Sequence, residues 1–184
     1  VGTTLNLKGL VGTVSNKNLL VHWREGFPGV GGDAYPSFWT WLKGIRQKVK
    51  KRGAWQGNDT IWRMVVDLYE AFQQGPPKCF SIIDGIVGGE GNGPFCPRAK
   101  SSKVLIASGN LLEADLAATR LMGFDVRAVP YLRYLMDRKR IDLEALEIRS
   151  DDLSLADFWN LDTPHLDFEP PEHWPALRRY ETAS

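Results

Sequence analysis

The order of short apolar runs, glycines and a capped helix between Lys78 and Gly123 constrains this chain more than any other feature. Lys78-Cys79-Phe80-Ser81-Ile82-Ile83 is apolar and partly β-branched, ends in Asp84-Gly85, and reads as a buried strand. Val104-Leu105-Ile106-Ala107 repeats the pattern before Ser108-Gly109. A helix then opens at Asn110, a good N-cap with Glu113 three residues on, and stops at Gly123. Strand, glycine-rich segment, strand and helix in this order define an α/β unit, and the expected fold is α/β with a central mixed sheet and packed helices.

Glycine is unevenly spread. Gly26, Gly29, Gly31 and Gly32 fall in one stretch, and Gly85, Gly88, Gly89, Gly91 and Gly93 in another, together half of the 18 glycines. Glycine permits positive φ and close backbone approach, so both stretches are expected as loops and as the first places for a site. A helix is expected between them after Pro36, with Phe38, Trp41, Leu42, Ile45 and Val49 on one side. A second has Asn58 or Asp59 as cap and Gly75-Pro76-Pro77 as stop. Its apolar side holds Met64, Val65, Leu68 and Phe72, and its polar side Arg63, Asp67, Glu70 and Gln74. A further helix is expected from Pro130 to Arg140, followed by a short strand at Leu146–Arg149.

With 184 residues the chain has the length of one domain or of one with a small annex. Residues 1–150 are expected to form the α/β domain. Residues 151–184 form an acidic, proline-rich extension with eight acids against Arg178 and Arg179, draped over the domain by Phe158, Trp159 and Trp174. No apolar run reaches the length of a membrane span, and a cytoplasmic location is the expectation. The start at Val1, already inside a patterned segment, suggests a missing N-terminal portion. Two cysteines, Cys79 and Cys96, exclude a four-thiolate iron–sulfur or zinc site within the chain. The net charge of +1 hides the cluster Lys43, Arg46, Lys48, Lys50, Lys51 and Arg52. Cations at a helix C-terminus suit the macrodipole, so this run does not by itself indicate nucleic acid.

Asp84-Gly-Ile-Val-Gly-Gly-Glu-Gly-Asn-Gly-Pro94 is the main candidate site. A loop leaving a buried strand would offer Asp84, Glu90, Asn92 and the amides of Gly89, Gly91 and Gly93 to a small polar or anionic ligand. Its alternative is a long hairpin whose glycines serve geometry alone. The glycine spacing and the prolines at 94 and 97 do not fit a dinucleotide fingerprint, and Lys100-Ser101 lacks the glycine of a phosphate-binding loop. Asp115 gives a separate signal. With Leu111 at zero and about 100° per residue, Asp115 falls near 40°, beside Met122 and Ala118, whereas Glu113 and Arg120 lie near 180–200°. A carboxylate on an apolar face needs a cation, a metal or convergent donors. It either serves the site or accepts hydrogen bonds from a neighbouring loop. His22, with Asp33 further on, suits acid/base or metal chemistry, or packs structurally beside Trp23.

Taken together, Leu5-Asn-Leu-Lys8-Gly-Leu-Val-Gly12, Lys17-Asn18 with His22, Gly31-Gly32-Asp33, Gly57-Asn58-Asp59-Thr-Ile-Trp62-Arg63-Met, Asp67-Leu68, the 84–94 segment, and Ala114-Asp115 followed by Leu121-Met122-Gly123 resemble the family called domain of unknown function 362. The matches keep their order from residue 1 to about 130. Two positions depart from the family pattern: Gly9 stands where an asparagine is usual, and Val21 where a proline often precedes the histidine. The resemblance implies an α/β fold in a family some of whose members are joined to ferredoxin-type iron–sulfur modules, and it names no reaction. It adds Lys8, Asn58 and Asp59 to the ligand-binding candidates. The expected reading is an enzyme-like domain with His22, Asp84 and Asp115 as catalytic groups, and Asp84, Glu90 and Asp115 as candidate ligands of a divalent metal. The alternative is a non-catalytic module that docks a ferredoxin-like protein through the basic run.

Overall fold

A computed structural model describes Thr3 and residues 5–15, 60–75, 79–92, 97–151, 155, 157–160, 162, 165–171, 174 and 177. The helix expected after Pro36, the first glycine stretch and the basic run lie outside these residues. Among the described residues the elements are α1 (Asn6–Gly9) continuing into a 3₁₀ turn (Leu10–Thr13), α2 (Thr60–Gln74), β1 (Ser81–Glu90), β2 (Arg98–Ser108), α3 (Leu111–Leu121), a 3₁₀ turn (Val126–Ala128) and α4 (Pro130–Lys139). The α/β class holds, and the sheet among the described residues is a two-stranded antiparallel hairpin.

Local chemistry explains the helix ends. Asn110 Oδ1 accepts from Leu112 N at 3.0 Å, which occupies one free donor of the first turn, and Asn110 Nδ2 donates to Glu113 Oε1 at 2.9 Å, which holds the capping side chain. Gly123 takes φ +90° after α3, the left-handed stop that glycine supplies at least cost. Pro130 starts α4, where its missing N–H is not needed. Residues 146–149, expected as a strand, have no regular structure.

The larger departure is in the hairpin. β1 does not end at Asp84: it runs on to Glu90, passing through Gly85, Gly88 and Gly89. Ser81 pairs with Ser108 and Glu90 with Arg98, and the register shifts between Gly85 and Val87. There Ile86 stands against the extra residue of β2, and Lys103 takes φ 55°. Successive side chains alternate between the two faces. Ser81, Ile83, Gly85, Gly88 and Glu90 of β1, with Lys100, Ser102, Val104 and Ile106 of β2, are the more buried set. The opposite face carries Ile82, Val87 and Leu105, the last 66% exposed.

The core is built on α3. Leu112 and Leu116 are fully buried in one cluster with Leu7 of α1, Val65 and Tyr69 of α2, and Leu132 and Leu135 of α4. The extension closes it: Phe158, Phe168, Trp174 and Leu177 are buried. Arg120, expected on the polar side of α3, is 1% exposed and donates from Nη2 to the carbonyl of Asn160. The helix is thus covered on both sides, and the extension makes the difference, because a wheel drawn for one helix cannot see a segment 40 residues away.

Candidate functional site

Residues 165–171 form a strap from the end of α3 to the far end of the hairpin. Leu166 N donates to Leu121 O at 3.0 Å and Phe168 N to Met122 O at 2.8 Å, using carbonyls that the helix end leaves free. At the hairpin, Gly91 N donates to Glu169 O at 3.0 Å, Glu169 N to Glu90 Oε2 at 3.1 Å, and Lys100 Nζ to Asp167 O at 2.6 Å. The ring of Phe168 lies against Gly88. A Cβ at that position would stand 2.7 Å from Phe168 Cζ, closer than carbon atoms approach. The Cβ of a residue at 85 would meet Val104 Cγ2 at 2.8 Å, and at 89 Pro97 Cβ at 3.0 Å. The β1 glycines therefore answer to packing, and Gly91 at φ +76° to a turn.

The sequence-predicted residues separate accordingly. Asp84 is exposed, and its Oδ1 accepts from Ile86 N at 3.0 Å, beside the register shift of the ladder. Glu90, with 12% of its side chain exposed, lies 3.2 Å from Lys100 Nζ and 3.3 Å from Arg98 Nη2. Burial raises its pKa, but the Glu169 N–H and the two cations outweigh burial and hold the carboxyl below its ordinary value. Arg98 also pairs with Glu169.

Asp115 is fully buried, as its helical phase predicts. Its partners are backbone groups: Asn6 N donates to Oδ1 at 2.8 Å and Leu7 N to Oδ2 at 3.0 Å, so one carboxylate caps the start of α1. Burial raises its pKa to about 7 against the opposing effect of these bonds, and the nearby Asn6 side chain also favours the ionised form. Asn6 Nδ2 nevertheless reaches no partner at hydrogen-bond geometry. Thr3 Oγ1, 2.9 Å from Tyr131 Oη, fastens the same segment from its other side. Lys8 is half-buried on α1, and burial lowers its pKa.

The three acids do not form a centre. At about 3.3 Å per strand residue, Asp84 and Glu90 stand about 20 Å apart, and Asp115 is committed to α1. Among the described residues no group of three His, Cys, Asp or Glu side chains could hold a metal ion, which removes this trio as the candidate metal site. His22, Asp33, Asn58, Asp59 and Gly93 lie outside the described residues; Asn92 is exposed at the end of the described hairpin.

What the described residues do enclose is a groove of about 930 Å³ between α1 with its 3₁₀ turn, the inner face of the hairpin, the C-terminal end of α3 and the strap. Asp84, Gly89, Glu90 and Gly91 line it, whereas Lys8 and Asp115 do not. Ser81 and Asn6 also line it and were not candidates. The strand alternation that puts Ile83 inward puts Ser81 inward too, which is the signal that could have found it.

An α/β domain with a groove beside a glycine-containing hairpin is the class that this geometry defines. Residues 1–120 match the family model described as "Domain of unknown function (DUF362)", and the chain belongs to that family. No curated protein and no solved structure matches it. Among the described residues no helix is long and apolar enough to cross a membrane.

Proposed function

We propose that the groove is a small-molecule binding site and that this domain acts by holding a ligand there. One observation carries the reading. The stretch around Asn6 and Gly9 and the stretch from Asp84 to Gly91, both within the family match, stand on opposite walls of one cavity of ligand size. The sequence suggests a small polar or anionic ligand, but the groove favours an uncharged one. Of its described charged lining residues, Glu90 and Glu169 are already paired with Lys100 and Arg98 and Asp84 is exposed, and most of the remaining wall is apolar, including Leu10, Ile83, Val104 and Ile106. The ferredoxin-docking alternative depends on residues 43–52, which lie outside the described residues.

The neutral dye N-phenyl-1-naphthylamine tests this directly, because it fluoresces when it leaves water for an apolar site. Saturable binding to the protein is expected, weakened at least tenfold by Ile106→Trp or Leu10→Trp in variants whose circular dichroism and melting are unchanged. Binding that ignores both substitutions, or none at all, contradicts the proposal.

A further inference from the structure

We infer that the groove takes an uncharged amphiphile bearing a carbonyl group, held at its polar end by Asn6 and Ser81; this rests on the groove being a ligand site. Ser81 opens β1 and is only 5% exposed, yet its Oγ has no hydrogen-bond partner. Asn6 Nδ2 is buried and unpartnered as well, and both residues line the groove. Buried polar atoms without partners are rare in folded proteins, and those that occur call for a specific explanation. Thr119 Oγ1 is in the same condition but belongs to no residue of the groove lining. The two orphans that matter are therefore those on residues that line a cavity.

Their chemistry selects the ligand. An amide nitrogen only donates, so whatever meets Asn6 must present an acceptor; a serine hydroxyl both donates and accepts. An ammonium group cannot satisfy Asn6. A carboxylate can, but it would leave water for a mostly apolar groove whose nearby cations, Lys100 and Arg98, are already paired with Glu90 and Glu169. An uncharged carbonyl, as in an amide, ester or ketone, accepts from Asn6 without the cost of burying a charge. Such a molecule would supply the hydrogen bonds that these buried atoms lack. The rest of the ligand meets Leu10, Ile83, Val104 and Ile106, which favour an aliphatic or aromatic body.

The test is competition against bound N-phenyl-1-naphthylamine by three molecules of one chain length: octanamide, octanoate and octylammonium. Octanamide should displace the dye at least tenfold more effectively than either ion. Ser81→Ala and Asn6→Ala should each weaken octanamide by about five- to tenfold relative to the dye affinity measured for the same variant, and Ser81→Thr should restore most of the loss. If octanoate or octylammonium competes as well as octanamide, or if neither alanine variant changes octanamide, the inference falls while the groove stands. If the dye does not bind the wild-type protein, the proposed function and this inference fall together.

Discussion

Asp115 sets two effects of opposite sign against each other, and their balance can be measured. Complete burial disfavours the carboxylate, while the N–H groups of Asn6 and Leu7 favour it. Burial wins and raises the pKa from 3.8 to about 7. An acid whose pKa is higher in the folded state contributes stability that is fully present below its unfolded pKa and lost as pH rises through the folded value. Between pH 4 and 7 the native protein keeps a proton that the unfolded chain has released. At about 1.36 kcal/mol per pH unit, the loss across that window is on the order of 4 kcal/mol. Asp115→Asn cannot titrate and presents an amide nitrogen to one of the two N–H groups, at a cost of about 1–3 kcal/mol that pH does not change. Urea unfolding of both proteins from pH 4.5 to 8.5 should give a stability difference, wild type minus variant, that falls by about 3–4 kcal/mol toward pH 7 and is flat above pH 8. A difference that is constant, or that grows with pH, would show that the backbone bonds outweigh burial and would refute the reasoning.

Two further predictions concern the strap. Gly88→Ala should destabilise by about 1–3 kcal/mol through overpacking against Phe168, and much of that cost should vanish in a Phe168→Ala background; additive losses in a double-mutant cycle would remove the contact as the reason for the glycine. Arg120→Met should cost about 2–3 kcal/mol by leaving the Asn160 carbonyl without its charged donor, and limited proteolysis should then cut residues 157–171 sooner, whereas an unchanged cleavage pattern would mean that Arg120 does not fasten the extension.

The helices were legible because their determinants are local. Asn110, Gly123 and Pro130 act within a turn of where they stand, and the phase of α3 was enough to bury Asp115. The hairpin was not, because its glycines answer to Phe168, Val104 and Pro97, and the first of these is 80 residues from Gly88. Read locally they suggest a ligand loop; in space they are the positions where a side chain would collide. Arg120 failed for the same reason. The proposed site moves with them, from acids on a loop to the walls of a groove, and Asp84 and Glu90 are bound up in the hairpin and the strap. The burial of Asp115 was readable from helix geometry, but its partners, the amides of Asn6 and Leu7, lie more than 100 residues away in the chain and no periodicity reports them.

The central claim, that ligands enter between α1 and the inner face of the hairpin, is tested most directly by amide chemical-shift mapping of the protein titrated with N-phenyl-1-naphthylamine. The largest shifts should fall on Leu10, Ser81, Ile83, Gly88 and Ile106, which line the groove. Shifts confined to Ser101, Leu105 and Ala107 on the outer face of β2, or the absence of any saturable shift, would contradict it.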